Sequence, residues 1–229
     1  MKTVVSFSGG MDSATLLWEL TDGGRTNDVL AVSFVYGSKH NEHELVAAAE
    51  FTYRLGCRYR VVDLSGIMAG FKSDLLKSGG EIPEGHYEAE SMERTVVPAR
   101  NIIFASVLAG IAWSEGASQV ALAVHAGDHA IYPDCRPEFV EDMGNALWEG
   151  TGKRVGLHAP YLNLTKAQIL KRGLGLNVPY ELTRTCYTTS PIACGKCGSC
   201  QERLEAFALN SATDPLEYQS RDLMPKESK

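Results

Sequence analysis

Ser6-Phe7-Ser8-Gly9-Gly10-Met11-Asp12-Ser13 joins a short β-branched run, 3–7, to an amphipathic segment that begins at about Asp12. Two adjacent glycines let the backbone turn tightly and present N–H groups with no Cβ in the way. Ser8 and Ser13 add hydroxyl donors. A helix starting at Asp12 points the positive end of its dipole at the same spot, so the strand, turn and helix together form an anion site. The spacing is not that of a Walker A loop, because Met11-Asp12 stands where that loop needs a lysine and a Ser or Thr, nor is it G-x-G-x-x-G. A carboxylate such as Asp12 among phosphate ligands makes sense chiefly with a cation between them.

Reading outward, Ala14, Leu17, Trp18 and Leu20 give the first helix an apolar face, and 29–36 is a nearly continuous apolar run suited to a strand buried on both faces. A second helix is predicted over 42–55, ended by Gly56, followed by a third strand over 58–64. The stretch 71–93 breaks the rhythm with Gly79-Gly80, Pro83 and Gly85, and reads as a mobile surface excursion, lid-like or disordered. An apolar helix over 100–115, buried on more than one side, precedes a fourth strand over 119–124. The loop 126–136 leads to a helix starting near Pro137, and 165–172 is another short helix. This alternation predicts an α/β fold with a parallel sheet covered by helices on both faces. The expected division is 1–183 for the nucleotide-binding domain and 184–229 for a small C-terminal metal module packed on it.

With 229 residues, 44% hydrophobic and 22% charged, the chain has the makeup of an ordinary globular protein, enough for one such domain and an appendage. A net charge of −6 argues against a broad footprint for tRNA or DNA. No apolar run is judged to approach the roughly 20 residues of a membrane span, and Met1-Lys2-Thr3-Val4-Val5 runs straight into a strand, so the expected location is the cytoplasm.

Four of six cysteines form the pattern Cys186-x7-Cys194-x2-Cys197-x2-Cys200, with Gly195 and Gly198 permitting sharp turns. In a reducing compartment such a cluster reads as a metal site rather than disulfides. Four thiolates suit one tetrahedral structural Zn²⁺ with no open position, whereas an iron–sulfur cluster takes four cysteines too, and the spacing alone does not separate them. A helix over 199–209 is expected to follow. Cys57 reads as a buried apolar residue and Cys135 as a loop residue.

The turn matches the SGGxDS signature of the PP-loop ATP pyrophosphatases, whose Rossmann-like (HUP-type) fold the chain is thereby expected to share. Three further stretches resemble the 7-cyano-7-deazaguanine synthase family within that superfamily: Val97-Pro98-Ala99-Arg100-Asn101, Tyr132-Pro133-Asp134-Cys135-Arg136-Pro137-Glu138-Phe139, and the cysteine pattern with Thr185, Arg203, Ala206-Phe207 and Asp214-Pro215. The resemblance covers nearly the whole chain. It implies ATP, Mg²⁺ and Zn²⁺ as cofactors, a homodimer, and adenylation of the carboxylate of 7-carboxy-7-deazaguanine. Attack by ammonia then gives an amide, and a second ATP turns the amide into the nitrile. It places the nucleotide against Phe7, Ser8, Gly9, Gly10, Met11, Asp12, Ser13, Ala14, Thr15, Leu16 and Leu17, with Tyr36 and Lys39 near the adenosine half.

Candidate catalytic residues are Asp12, Ser13, Arg100, Asp134, Arg136 and Lys166. Arg100 would bind phosphate or substrate carboxylate, or else is a surface cation at a helix start. Lys166 would reach the triphosphate, and Asp134 and Arg136, after the fourth strand, would meet the deazaguanine. Glu138 is either a further contact or a helix N-terminal charge. His125, Asp128 and His129 suggest a second metal or a solvated loop, with the loop preferred. The chain departs from the family at Lys39, which lacks the bidentate fork of arginine, and around Arg184 and Tyr187-Thr188-Thr189-Ser190, so the endpoint is open to being the amide or a different amine. A tRNA-modifying PP-loop enzyme such as a thiolase is the alternative, and would use Cys57 or Cys135.

Overall fold

Val4 and Val5 are neighbours in the chain yet lie in different cores, one on each face of the sheet. This is the period of two expected of a strand buried on both sides. The computed structural model describes residues 2–22 and 25–224. Within them β1 (Thr3–Ser6), α1 (Met11–Thr21), β2 (Val29–Val35), α2 (Asn41–Leu55), β3 (Arg58–Asp63), the short α3 (Ser65–Met68), α4 (Arg100–Ser114), β4 (Gln119–Ala121), α5 (Pro137–Gly150), β5 (Gly156–His158), α6 (Lys166–Gly175) and α7 (Gly198–Leu209) follow in order. All strand pairs are parallel, in the order β3-β2-β1-β4-β5.

One core holds Phe34, Met68, Phe104, Leu108 and Leu147, from α3, α4, α5 and the sheet. The other holds Phe7, Leu16, Phe51, Ile169 and Phe207, from α1, α2, α6 and α7. The parallel sheet with helices on both faces is therefore as the sequence predicts. Burying a side chain such as Leu108 or Ile169 is worth about 1.5–3 kcal/mol. The first strand after β1 lies to one side and β4 to the other, which opens a crevice above the carboxyl ends of β1 and β4.

Gly56, with φ of 68°, ends α2 in the left-handed conformation predicted for it. Thr165 and Gln168 form a reciprocal capping box that starts α6. Strand four is shorter than predicted, three residues rather than six, and β5 has no counterpart in the reading of the sequence, because Gly156–His158 carries no apolar run.

Two expectations are corrected. The stretch 71–93 is not a surface excursion: Leu75, Leu76, Ala89 and Met92 are buried, and a short 3₁₀ helix, Glu90–Thr95, closes it. Helix α4 buries one broad face, through Phe104, Ala105, Leu108 and Ala112, but leaves Ile102 and Trp113 over 40% exposed. The stretch Glu90–Ser114 is long and apolar enough by length and composition alone to cross a membrane, and here α4 packs on the sheet of the core. Of the C-terminal tail, 225–229 lies outside the described residues.

Candidate active site

The turn between β1 and α1 is built so that only glycine fits at its first position. Gly9 has φ of +78°, and a Cβ there would stand 2.9 Å from the Ala48 backbone nitrogen and from the Glu44 carbonyl oxygen. At Gly10 the backbone is extended, and no side chain caps α1, so its first-turn amides face the crevice unsatisfied by a cap. Ser8 Oγ accepts from the Gly10 N–H at 3.2 Å and lies 3.2 Å from Ser13 Oγ.

Above this turn is a cleft of about 220 Å³. Phe7, Ser8, Gly10, Met11, Asp12, Ser13, Tyr36, Arg100 and Lys166 line it, so most of the residues picked from the sequence come together. The rest do not. Ala14, Thr15, Leu16 and Leu17 are buried in the second core below the turn, because the helical repeat carries them away from its N-terminus. Lys39 turns its ammonium to the carbonyls of Asp74 and Gly80 and fastens the 71–93 segment. Asp134 is buried, with Oδ2 accepting from the Asn101 N–H at 2.8 Å, while its carbonyl accepts from Asn101 Nδ2 at 2.9 Å. It caps the start of α4, and so supports Arg100 rather than entering the cleft. Arg136 is exposed and donates from Nε to the His129 carbonyl at 2.9 Å.

At one end of the cleft a cluster of charges forms around Asp12. Lys166 Nζ is 3.3 Å from Asp12 Oδ2 and 2.5 Å from Glu202 Oε2. His125 Nε2 lies 3.7 Å from Asp12 and 3.5 Å from Asp128. Burial works against the charge on Lys166, but Asp12 and Glu202 outweigh it and hold the ammonium above its ordinary pKa. His125 is likewise raised, since Asp128, Glu202 and Asp12 overcome its burial. His125 Nδ1 accepts from the Gly127 N–H at 3.1 Å. The solvated-loop reading of His125 therefore fails, as the ring is only 2% exposed. Asp12 Oδ1 is buried without a partner, and three carboxylates, Asp12, Glu202 and Asp128, gather about Lys166 and His125. Carboxylates in excess of the ammonium, one of them with an unpartnered buried oxygen, suit a divalent cation that Asp12 would hold.

The other end carries Arg100, His40 and Glu44. Burial pushes the Glu44 carboxyl up to about 8 despite Arg100 and Arg184, and pushes His40 down to about 3, with the Arg100 charge adding to the effect. Sequence reasoning missed Glu202, Glu44 and His40. No local sequence signal marks Glu202; only the fold shows that a Cβ at Gly127 would fall 2.2 Å from Glu202 Oε1.

The four clustered cysteines are buried, and their sulfurs all lie within 4.8 Å of one another. Cys186 and Cys194 sulfurs are 3.6 Å apart, and those of Cys194 and Cys200 3.9 Å. A tetrahedron with Zn–S bonds of about 2.3 Å has edges of about 3.8 Å. A cubane cluster carries its cysteines on its outer corners and needs them farther apart, so this set fits one mononuclear ion. Backbone N–H groups of Cys194, Lys196 and Cys197 donate to the cluster sulfurs at 3.3–3.4 Å, which favours thiolates. Just beyond, Arg203 is fully buried against Asp214, Nε to Oδ2 at 2.6 Å, and fixes α7 to the chain that follows it.

A strand–glycine turn–helix with an acid in its first turn, facing a lysine from a later helix across the crevice of a parallel sheet, defines a nucleotide-binding protein of the PP-loop type. Residues 2–211 match the family described as queuosine biosynthesis protein QueC, and the chain belongs to that family. It is 48% identical over 218 residues to a 7-cyano-7-deazaguanine synthase of Pseudoalteromonas translucida (strain TAC 125), covering 95% of this chain and 99% of that protein. It is 46% identical over 219 residues to one from Methanoregula boonei (strain DSM 21154 / JCM 14090 / 6A8), covering 96% of this chain and 100% of that one. Among solved structures, the U34-tRNA thiolase NcsA from Methanococcus maripaludis superposes with a TM-score of 0.52 at 15% identity, over 92% of this chain and 65% of that one. The NMN synthetase from Francisella tularensis gives 0.51 at 16% identity, over 93% of this chain and 78% of that one. At these identities the two structures share the fold.

Proposed function

We propose that this chain is an ATP-dependent carbon–nitrogen ligase that converts 7-carboxy-7-deazaguanine and ammonia into 7-cyano-7-deazaguanine, within queuosine-type 7-deazapurine biosynthesis. The relatives named for that activity match it over nearly their whole length. The observation that carries the chemistry is the uncapped, glycine-built turn facing Asp12 and Lys166 in one cleft.

A carboxylate has no leaving group until one is attached. Its oxygen attacks the α-phosphorus of ATP and expels pyrophosphate. Ammonia then adds to the acyl carbon, and AMP leaves with that oxygen, giving the amide. The amide oxygen attacks a second ATP, pyrophosphate leaves, and loss of AMP and both N–H protons yields the nitrile. The protein's share of this is alignment and charge neutralisation. The first-turn amides of α1, with the hydroxyls of Ser8 and Ser13, hold the leaving pyrophosphate. Lys166, shared with Asp12 and Glu202, offsets only part of its charge, and Arg100 orients the carboxylate at the other end of the cleft.

Asp12 would hold Mg²⁺, which when bound neutralises the triphosphate. Cys186, Cys194, Cys197 and Cys200 would hold one structural Zn²⁺, the anchor of a 184–229 module on a 1–183 domain. A cytoplasmic homodimer with no nucleic-acid or membrane partner completes the reading. The thiolase alternative needs an accessible cysteine outside the metal set, and the remaining two count against it. Cys57 is 9% exposed, with burial pushing its thiol up to about 11, and Cys135 is 2% exposed with its thiol raised well above the ordinary range, again by burial.

The test is product mass after incubation with ATP, Mg²⁺, ammonium and 7-carboxy-7-deazaguanine. Nitrile with AMP, absent in an Asp12→Asn variant, supports the reading. Amide alone moves the endpoint, and no substrate-dependent AMP ends it.

A further inference from the structure

Arg184 is 8% exposed and is stitched to the phosphate turn by its own backbone. Its N–H donates to the Gly9 carbonyl at 2.8 Å, and a Cβ built on Gly10 would lie 3.5 Å from its carbonyl oxygen. The guanidinium fork is spoken for at one end only. Nη1 donates to the Pro191 carbonyl at 2.8 Å, and Nη2 to those of Ser190 at 2.6 Å and Thr188 at 3.1 Å. Nε is buried with no partner at all.

The guanidinium also has no carboxylate within ion-pair distance among the described residues. Its charge is felt by His40 and Glu44, both lining the cleft that Arg184 itself lines. A buried cation without a counter-ion is expensive, and an unmet buried N–H adds to that cost. Pinning the 188–191 turn uses Nη1 and Nη2 and leaves Nε unexplained. The ligand has the opposite deficit. Ser8, Ser13 and the turn amides are neutral donors, and the charge of Lys166 is already shared between Asp12 and Glu202.

We propose that Arg184 is a ligand-binding residue whose Nε–H donates to a phosphate oxygen of the nucleotide seated on the Gly9–Gly10 turn. This rests on the reading of the cleft as an ATP site. Arg184 would thereby couple nucleotide binding to the 188–191 turn that leads to the metal cysteines, since one planar group holds both. Lysine would keep the charge but could not serve both sides at once.

The wild-type protein labelled with ¹⁵N-arginine gives the test without risk of misfolding. The Nε–H signal of Arg184, identified by its absence in Arg184→Lys of unchanged metal content, is followed as Mg²⁺-pyrophosphate or a non-hydrolysable ATP analogue is added. A downfield shift that saturates with binding is expected, together with a ~10-fold or greater rise in the pyrophosphate Kd of Arg184→Lys, the loss of one charge-assisted hydrogen bond. An Nε–H signal that stays put while signals of the turn move makes Arg184 a pin only and overturns the proposal. Movement with 7-carboxy-7-deazaguanine alone assigns the oxyanion to the substrate and overturns it too. If neither phosphate ligand binds wild-type protein, the ATP reading itself has failed.

Discussion

Lys166, at the start of α6, stands 2.5 Å from Glu202 on α7 and 3.3 Å from Asp12 on α1, so one ammonium joins the phosphate turn to a residue two positions past the last metal cysteine. Replacing Lys166 by Met leaves two largely buried carboxylates facing each other. The expected loss is about 3–5 kcal/mol in urea unfolding, the cost of breaking a buried pair from one side. Activity is expected to fall ~100-fold or more through kcat/KM for ATP, with Glu202→Gln intermediate. Wild-type stability in Lys166→Met would contradict the buried geometry.

Metal removal should be felt in the nucleotide site for the same reason. Helix α7 begins at Gly198, between Cys197 and Cys200, and carries Glu202. Stripping the ion with a thiol reagent and chelator is expected to release one zinc per chain, lower the melting temperature and weaken ATP binding measured by calorimetry. Cobalt substitution should give the visible spectrum of a tetrahedral thiolate site. Iron and labile sulfide in the purified protein would contradict the sulfur spacings.

The two glycines of the turn should not be equivalent. Gly9→Ala forces a left-handed backbone and a 2.9 Å clash with the backbone of α2, which cannot retreat without moving the helix. Gly10→Ala presses only on the rotatable Ser8 hydroxyl, at 3.1 Å, with the Arg184 carbonyl at an ordinary contact distance of 3.5 Å. Gly9→Ala is expected to destabilise by more than ~1–2 kcal/mol, the handedness cost alone. Gly10→Ala should keep its melting temperature within about 2 °C and lose ATP affinity instead. Equal melting temperatures for the two variants would contradict the close approach of α2.

The difference between these two glycines also marks what the sequence makes legible. The turn, the parallel sheet and the four cysteines follow from local rules, since each signal sits within some fifteen residues. The partners of Asp12 do not. His125 and Lys166, and the Glu202 that pairs with Lys166, come from three separate elements that only the fold brings together. Asp134 misled in the opposite direction: an acid in a loop after a strand reads as a ligand contact, but the carboxylate is committed to the first turn of α4. The 71–93 segment was misread because glycines and a proline signal irregular backbone, not exposure, and Leu75 and Met92 lie far enough apart to carry no periodic pattern.

Stability should depend on pH through Glu44. Its carboxyl, ordinarily near 4.5, is raised to about 8 in the fold, so the unfolded chain releases its proton first. Stability from this group is full below about pH 4.5 and is lost as pH rises towards 8. His40 runs the other way, lowered from 6.5 to about 3, and contributes stability that disappears as pH falls below 6.5. Between 6.5 and 8 the pair's slope belongs to Glu44. Denaturation of the ligand-free protein at several pH values is expected to give a falling stability across that window, flatter in Glu44→Gln. Parallel curves for the two proteins would contradict the burial of Glu44 beside Arg100.

The most direct test of the adenylation account uses 7-carboxy-7-deazaguanine with ¹⁸O in both carboxylate positions, incubated with ATP, Mg²⁺ and ammonium and read by mass spectrometry. The account predicts two AMP per nitrile, each AMP carrying one ¹⁸O, and none in pyrophosphate, because each oxygen leaves the carbon attached to the α-phosphorus. Label in inorganic phosphate or in water, with unlabelled AMP, would contradict it.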